Sequence, residues 1–148
     1  MSQKNVEMVR RCYEFWARRD YSMLPEVFDP DVVLDLSRNV FNPDVYRGHD
    51  GLRRYVQVVD EMWEDFDARP TAMIEVGDRI VTGSRISGRG RGSGVEVGME
   101  LFNVWTFRDG RVLEIVGGYR EQAEALEAAG AAAAASSAVI GRTKRTKT

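Results

Sequence analysis

The stretch that decides the fold runs from Met99 to Tyr119 and reads MELFNVWTFRDGRVLEIVGGY. Its odd-numbered positions are mostly apolar, and alternation with a period of two predicts two β-strands that each bury one face. The Asp109-Gly110 pair lies between the two apolar runs and predicts the turn of a long hairpin. We expect the inner face of this hairpin to line a pocket.

The alternation also selects a register for the hairpin. A two-residue loop would place the charged Glu114 opposite Trp105, whereas a three-residue loop at 108–110 places Leu113 there. A slip of one residue moves every side chain of a strand to the other face. We therefore predict the three-residue loop, with Gly110 in the left-handed conformation.

The inner row contains one polar residue, Asn103. A buried carboxamide needs hydrogen-bond partners. Asn103 is therefore predicted either to complete a network in the core or to contact a ligand.

Length and composition indicate one domain with a substantial core, because the chain has 148 residues, 43% hydrophobic and 30% charged. No apolar run has the length of a membrane span, and the first residues lack the apolar core of a signal peptide. The single cysteine, Cys12, excludes an internal disulfide, and the single histidine, His49, excludes a multi-histidine metal site. We expect a cytoplasmic protein that has no metal, no cofactor and no membrane partner.

The charge is unevenly distributed along the chain. Residues 131–148 contain four basic residues and no acidic one, so the part up to Gly130 has 17 basic against 23 acidic residues. An acidic body argues against a nucleic-acid partner. We divide the chain into a folded domain at 1–130 and an alanine-rich, then basic, low-complexity tail at 131–148.

Helical periodicity and turn signals predict the remaining elements. They are a helix at 4–19, a short helix at about 22–28, a strand at 32–36, a loop at 37–48, a helix from the N-cap Asp50 to about Phe66, strands at 71–76 and 79–87, and after the hairpin a helix that ends at Gly130.

Helices followed by a curved antiparallel or mixed sheet make an α+β fold. This order resembles the nuclear transport factor 2-like fold, in the SnoaL-like, polyketide-cyclase-like branch that includes ketosteroid isomerase relatives. The resemblance covers Val6 to about Gly130, and the stretches that carry it are 13–20, 24–28 with Asp31, Tyr46-Arg47-Gly48, Val104–Val112 and 123–130. It implies a cone-shaped sheet capped by N-terminal helices, a pocket for a small hydrophobic molecule, and a homodimer.

The isomerase relatives use a helix tyrosine, a carboxylate base after the first strand and a protonated aspartate in the long strand. Those positions fall on Cys12, Leu36 and Asn103 of this chain, and Tyr13 and Asp35 each lie one residue away. The resemblance therefore implies that Asn103 could donate to an oxyanion. The missing phenol and base argue against ketosteroid isomerase itself.

Two further functional motifs do not fit this sequence. The Arg-x-Asp pair of the epoxide-hydrolase relatives is absent from Arg85-Ile86-Ser87. The glycines of Gly88–Gly94 lie between strands rather than between a strand and a helix, so they do not form a phosphate-binding loop.

Four residues are candidates for acid/base chemistry: Asn103, Tyr13, Asp35 and His49. Each has a structural alternative, since Tyr13 is also suited to the core, Asp35 falls on the solvent side of its strand, and His49 is also explained as an exposed residue near a helix start. The predicted pocket walls are Trp16, Trp63, Leu101, Trp105, Ile115 and Tyr119.

Two functions remain open. One is a small acid/base isomerase, cyclase or hydrolase acting on an apolar carbonyl compound, with Asn103 and Tyr13 polarising the oxygen and Asp35 or His49 as the base. The other is a non-catalytic module that binds a small ligand or dimerises. The first rests on family analogy, which does not by itself establish function.

Overall fold

The computed structural model describes the backbone of residues 2–141 and the side chains of residues 3–131. The helices are α1 (Ser2–Arg18), α2 (Leu24–Val27), α3 (Gly48–Met62) and α4 (Gln122–Gly141), with a 3-10 turn at Tyr21–Met23. The strands are β1 (Phe28–Asp35), β2 (Val45–Arg47), β3 (Trp63–Val76), β4 (Arg79–Gly90), β5 (Glu96–Arg108) and β6 (Arg111–Tyr119). The predicted α+β class is confirmed.

The six strands form one mixed, curved, open sheet in the order β2-β1-β6-β5-β4-β3. Strand β1 is parallel to β6, and every other neighbouring pair is antiparallel. The two long hairpins β3–β4 and β5–β6 therefore make most of the sheet, which β1 extends beside β6, with β2 at the edge.

Apolar residues cover both faces of the sheet. On the inner face, α1, α2 and α3 pack against β1, β5 and β6 around buried residues such as Phe15, Phe28 and Trp105. On the outer face, Ala125 and Ala129 of α4 pack against a second cluster that contains Phe102. The N-terminal helices therefore cap the inner face, as predicted.

The hairpin turn differs from the prediction. Arg108 pairs with Arg111, so the loop has two residues, Asp109 and Gly110, and both have positive φ angles (52° and 78°). This is the conformation that two-residue hairpin loops with Asp-Gly prefer. A bulge at Leu113 then restores the inward alternation, so that Ile115 rather than Glu114 lies opposite Trp105.

The third helix also has different bounds. It begins at Gly48 with Arg47 as the N-cap residue, and it ends at Met62. Asp50 is therefore not the cap, and its carboxylate instead accepts a hydrogen bond from Arg53. Trp63 starts β3 because pairing with β4 overrides the helical spacing of the sequence there.

Two further differences are found at the ends of predicted loops and helices. The segment predicted as a loop at 37–48 contains the short strand β2, which pairs with β1. Helix α4 continues through Gly130 to Gly141, so Gly130 does not cap it. The basic residues of the predicted tail lie outside the described residues. None of the helices in the described part of the chain has the length and apolarity that a bilayer crossing requires.

A charged cluster ties β1 to the end of β5. Asp29 is only 5% exposed, accepts two hydrogen bonds from Arg108 (2.8 and 3.1 Å) and accepts a third from the Asp31 backbone. The Arg108 hydrogen bonds, followed by that of the backbone, lower the pKa of Asp29. A carboxyl group whose pKa is lowered by folding stabilises the protein above its ordinary pKa and loses that effect as the pH falls.

We expect Asp29→Asn to lower the free energy of unfolding by about 1–2 kcal/mol at pH 7, after allowing for the half-exposed Arg108. The difference from wild type should shrink as the pH falls from the ordinary aspartate value of 3.8 through the lower pKa of the folded protein. Urea unfolding at several pH values measures it. Asp78→Asn is the control and should have little effect, because the Asp78 carboxylate that pairs with Arg79 is exposed; equal effects of the two variants would contradict the assignment.

Candidate functional site

A cavity of about 130 Å³ lies on the inner face of the sheet. It is enclosed by the C-terminal half of α3, the segment 36–42 and strands β3–β5, with Gly118 of β6 at its edge. A single water needs roughly 10–15 Å³ of such space, so the cavity has room for a molecule of on the order of ten non-hydrogen atoms. Its residues are Leu36, Asn39, Val40, Phe41, Asn42, Tyr55, Val58, Val59, Met62, Trp63, Phe66, Ile86, Ser87, Gly88, Val97, Met99, Leu101, Asn103 and Gly118.

Apolar side chains form the mouth of the cavity. Phe41 packs edge-on against Trp63 with ring centroids 5.5 Å apart. Phe41, Val40 and Met62 are nevertheless 42%, 52% and 37% exposed. Val40 and Phe41 lie in a loop whose two ends are joined by a hydrogen bond, in which the backbone N–H of Leu36 donates to the carbonyl of Asp44. The mouth therefore presents apolar surface to an approaching molecule.

The polar groups of the cavity are amides and hydroxyls. They belong to Asn39, Asn42, Asn103, Ser87 and Tyr55. Burial raises the pKa of Tyr55 above its ordinary value, so its phenol stays protonated at neutral pH. The described residues that line the cavity therefore carry no charge at neutral pH, and the site is suited to an uncharged, largely apolar ligand.

A buried hydrogen-bond network lies directly behind Asn103. Thr82 and Ser84 are 0% and 2% exposed, and Asn103 Nδ2 donates to the Oγ atom of each at 3.2 Å. The Trp105 indole donates to Thr82 Oγ1 at 2.8 Å. The Tyr13 hydroxyl lies 2.9 Å from Thr82 Oγ1 and 2.5 Å from Ser84 Oγ. Five residues from α1, β4 and β5 thus hold one another in place.

This network brings two of the four predicted site residues together. Asn103 lines the cavity, and Tyr13 lies one layer behind it. Burial raises the pKa of Tyr13, although its hydrogen bonds to Ser84 and Thr82 partly oppose this, so the hydroxyl remains protonated at neutral pH. Tyr13 is held as a neutral hydroxyl within the network rather than in the cavity lining.

The other two predicted residues lie elsewhere. Asp35 accepts hydrogen bonds from the Ser37 hydroxyl (2.6 Å) and the Ser37 backbone (3.0 Å), which lower its pKa and weaken it as a base. His49 lies in the first turn of α3, where its Nε2 is 2.9 Å from the carbonyl oxygen of Phe28. Neither residue is among those lining the cavity. Neither of the two predicted bases therefore lies in this cavity beside Asn103.

The predicted walls divide in a similar way. Trp63 and Leu101 line the cavity. Trp105 and Ile115 instead belong to the core beneath α1, and Trp16 packs on Tyr55 from outside with ring centroids 5.4 Å apart.

Tyr119 lies on the opposite face of the sheet from the prediction. A second bulge in β6 places Tyr119 opposite Phe102 and Val116 opposite Val104. The extra residue turns the Tyr119 ring toward the cluster under α4. The guanidinium of Arg38 lies over this ring, 4.3 Å from its centroid.

The residues that hold Asn103 were not predicted from the sequence. Thr82 and Ser84 lie on the same face of β4 as Ile80 and Ile86, so the period-two pattern could have placed both hydroxyls on the inner face. The segment 39–42 was not predicted as part of the site either, although its apolar Val-Phe pair between polar residues was an available signal. In the part of the chain that the structure describes, no group of three or more His, Cys, Asp or Glu residues is arranged to hold a metal ion.

Comparison with known proteins identifies the family. The model of the SnoaL-like domain matches residues 9–115, which is well over half of the chain. The chain belongs to the SnoaL-like family. The resemblance predicted from the hairpin and the helix order is thus confirmed. No curated protein matches this SnoaL-like chain.

Solved structures share the fold of this SnoaL-like protein. An NTF2-like protein from Burkholderia pseudomallei is 24% identical, with a TM-score of 0.67 over 84% of this chain and 95% of that one. TerC, co-crystallised with polyporic acid, is 21% identical, with a TM-score of 0.67 over 84% and 98% of the two chains. A protein from Catenulispora acidiphila with a ketosteroid isomerase-like fold, in complex with trimethylamine, is 15% identical, with a TM-score of 0.66 over 84% and 92%. At these identities the likeness concerns the fold.

Proposed function

We propose that this SnoaL-like protein binds one small, uncharged and mostly apolar organic molecule in the cavity between α3, the segment 36–42 and strands β3–β5. The observation that carries the proposal is the composition of the lining, in which apolar side chains surround a few amide and hydroxyl groups. Ligand pockets commonly combine an apolar wall with a few placed polar groups.

The positions of Asp35 and His49 favour binding over acid/base catalysis. A general base must come within hydrogen-bond reach of the proton that it removes. Asp35 is engaged by Ser37 and His49 by the Phe28 carbonyl, and neither lines the cavity. We therefore assign these two residues no part in the function.

The fold neighbours give independent support. TerC was co-crystallised with polyporic acid, and the Catenulispora acidiphila protein was solved with trimethylamine. Both are small organic molecules, and this fold has therefore accommodated such compounds in other chains.

The homodimer and the cytoplasmic location predicted from the sequence remain proposals. Helix α4 packs through Ala125 and Ala129 on the outer face of the sheet. A second copy that used this face would therefore meet α4 as well as the strands.

A cavity-filling variant tests the proposed function. Indane, a bicyclic hydrocarbon of nine carbon atoms, should bind saturably to the wild-type protein and quench or enhance the fluorescence of Trp63, which lines the cavity. Met99→Trp should weaken binding by at least about tenfold, because the larger ring occupies the ligand's space. Since the substitution adds a fluorophore, affinities of the variants are measured by calorimetry.

The matched control is Val95→Trp. Val95 is 60% exposed, precedes the same strand and does not line the cavity. This variant should bind indane within about twofold of wild type. Absence of saturable binding to wild type, or equal binding by the Met99 variant, would overturn the proposal.

A further inference from the structure

The carboxamide of Asn103 is placed where β6 leaves room for it. Asn103 lies directly opposite Thr82 on β4. On the β6 side its neighbour is Gly117, where a Cβ atom would come 2.7 Å from Asn103 Oδ1 and 2.9 Å from Leu36 Cδ2. A side chain at position 117 would therefore displace the amide or Leu36.

Both donor hydrogens of Asn103 are used inside the protein. An amide nitrogen carries two hydrogens, and Nδ2 has two acceptors, Thr82 Oγ1 and Ser84 Oγ, each at 3.2 Å. No hydrogen of this amide is left for a ligand. The oxyanion-donor role implied by the isomerase relatives is therefore not available to Asn103 in this arrangement.

The hydroxyl groups of the network support this assignment. Thr82 Oγ1 accepts from the Trp105 indole, from Asn103 and from the Tyr13 hydroxyl. Ser84 Oγ accepts from Asn103 and lies 2.5 Å from the Tyr13 hydroxyl. Both hydroxyl oxygens therefore act as acceptors for the amide nitrogen.

The amide oxygen remains open. Among the described residues no donor lies within hydrogen-bond distance of Oδ1. This oxygen is also not fully buried. Among the described residues, the Tyr21 hydroxyl is the one fully buried side-chain polar atom that has no partner, and Asn103 Oδ1, which has no partner either, is therefore accessible. Oδ1 lies beside Leu36 and Gly117, and Leu36 and Asn103 both line the cavity. The free acceptor therefore faces the ligand space.

We infer that Asn103 acts as a hydrogen-bond acceptor and selects ligands that carry a hydroxyl or N–H group, an inference that rests on the proposed function. A ketone would place its oxygen against Oδ1, and two acceptors without a hydrogen between them leave both unsatisfied. An alcohol of the same shape places a donor there. The preferred ligand class is thus a compact apolar alcohol, phenol or amine rather than its carbonyl counterpart.

Two probes that share one ring system test the inference. Racemic 1-indanol and 1-indanone each have ten non-hydrogen atoms and differ in whether the oxygen carries a hydrogen. By calorimetry, the wild-type protein should bind 1-indanol about 3- to 10-fold more tightly than 1-indanone, which is the range expected for one hydrogen bond. Equal affinity, or tighter binding of 1-indanone, would overturn the inference even where indane binding upholds the proposed function.

Two variants attribute the preference to one amide. Asn103→Leu should remove the preference for 1-indanol, whereas Asn5→Leu, which changes a half-buried carboxamide of α1 outside the cavity, should retain it. A preference that survives Asn103→Leu would overturn the role of Asn103. The comparison of the two probes in the wild-type protein decides the acceptor character even if Asn103→Leu fails to fold. Failure of indane and of both probes to bind would overturn the proposed function, and the inference with it.

Discussion

Replacing Thr82 with valine is expected to lower the free energy of unfolding by about 2–4 kcal/mol, the largest effect we expect from removing one polar atom. Valine has nearly the same shape, so the loss comes from the hydroxyl. The fully buried Thr82 oxygen accepts the Trp105 indole hydrogen, and without it that donor is left in the core with no acceptor. Asn103 and Tyr13 would each lose one partner and keep Ser84.

Urea and thermal unfolding measure the effect. For a domain of this size we expect the midpoint of thermal unfolding to fall by about 5–15 °C. Thr106→Val is the matched control, because Thr106 is a half-buried strand threonine whose side chain makes no hydrogen bond to another described residue. The control should change the free energy of unfolding by no more than about 0.5 kcal/mol. Similar losses in both variants would show that Thr82 does not hold the network together.

Three members of this network, Asn103, Tyr13 and Trp105, were predicted from the sequence as site or wall residues, but the two hydroxyls at its centre were not. Asn103 was recognisable because it is the polar exception in an apolar row of a strand. Thr82 and Ser84 are ordinary residues for a strand, where threonine is common. Their importance depends on α1 delivering the Tyr13 hydroxyl from 69 and 71 positions away along the chain, which no local pattern encodes.

Gly118→Ala is expected to lower the free energy of unfolding by about 2–4 kcal/mol and to weaken ligand binding. Gly118 has a φ angle of +88°, which L-residues with a side chain rarely adopt. An added Cβ atom would also come 2.7 Å from Asn39 Oδ1 and 3.0 Å from the backbone carbonyl carbon of Arg38. The segment 36–42 would have to move away from the sheet, and that segment forms one wall of the cavity.

Gly92→Ala separates the effect of backbone strain from the effect of steric contact by the added Cβ atom. Gly92 has the same φ angle of +88°, but a Cβ atom there would meet no atom within 4 Å. This control should therefore cost only the backbone strain, about 1–2 kcal/mol, and leave indane affinity unchanged. Unfolding in urea gives the stabilities, and calorimetry with indane gives the affinities. If the two variants lose equal stability and both retain binding, contact between β6 and the segment 36–42 does not shape the cavity.

Side-chain faces were easier to predict than strand register. The inward positions of Leu101, Asn103 and Trp105 followed from alternation alone and agree with the structure. The register did not follow, because the two-residue turn at Asp109-Gly110 and the bulge at Leu113 together give the same facing as a three-residue turn without a bulge. The second bulge, beside Gly118, has no apolar signature, and for that reason Tyr119 was assigned to the wrong face.

The boundary between α3 and β3 could not be found from local pattern either. Trp63 and Phe66 continue the helical spacing of Val59 and Met62, and nothing before Pro70 obliges a helix to stop. In the structure Trp63 pairs with Gly90, and Asp65 takes a positive φ angle of 56° within a bulged stretch. Strand pairing between distant parts of the chain determined the outcome, and it placed Trp63 and Phe66 in the cavity wall.

The parallel pairing of β1 with β6 sets an order of events during synthesis. Phe28 pairs with Val112 and Leu34 with Ile115, so β1, which pairs with β2 on its other edge, can join the two hairpins only after the last strand has left the ribosome. Until then the segment 36–42, which follows β1, has no fixed position relative to the two hairpins. Contacts between residues so far apart in sequence form slowly. The growing chain can therefore build the β3–β4 hairpin early, whereas the cavity is one of the last features to be completed.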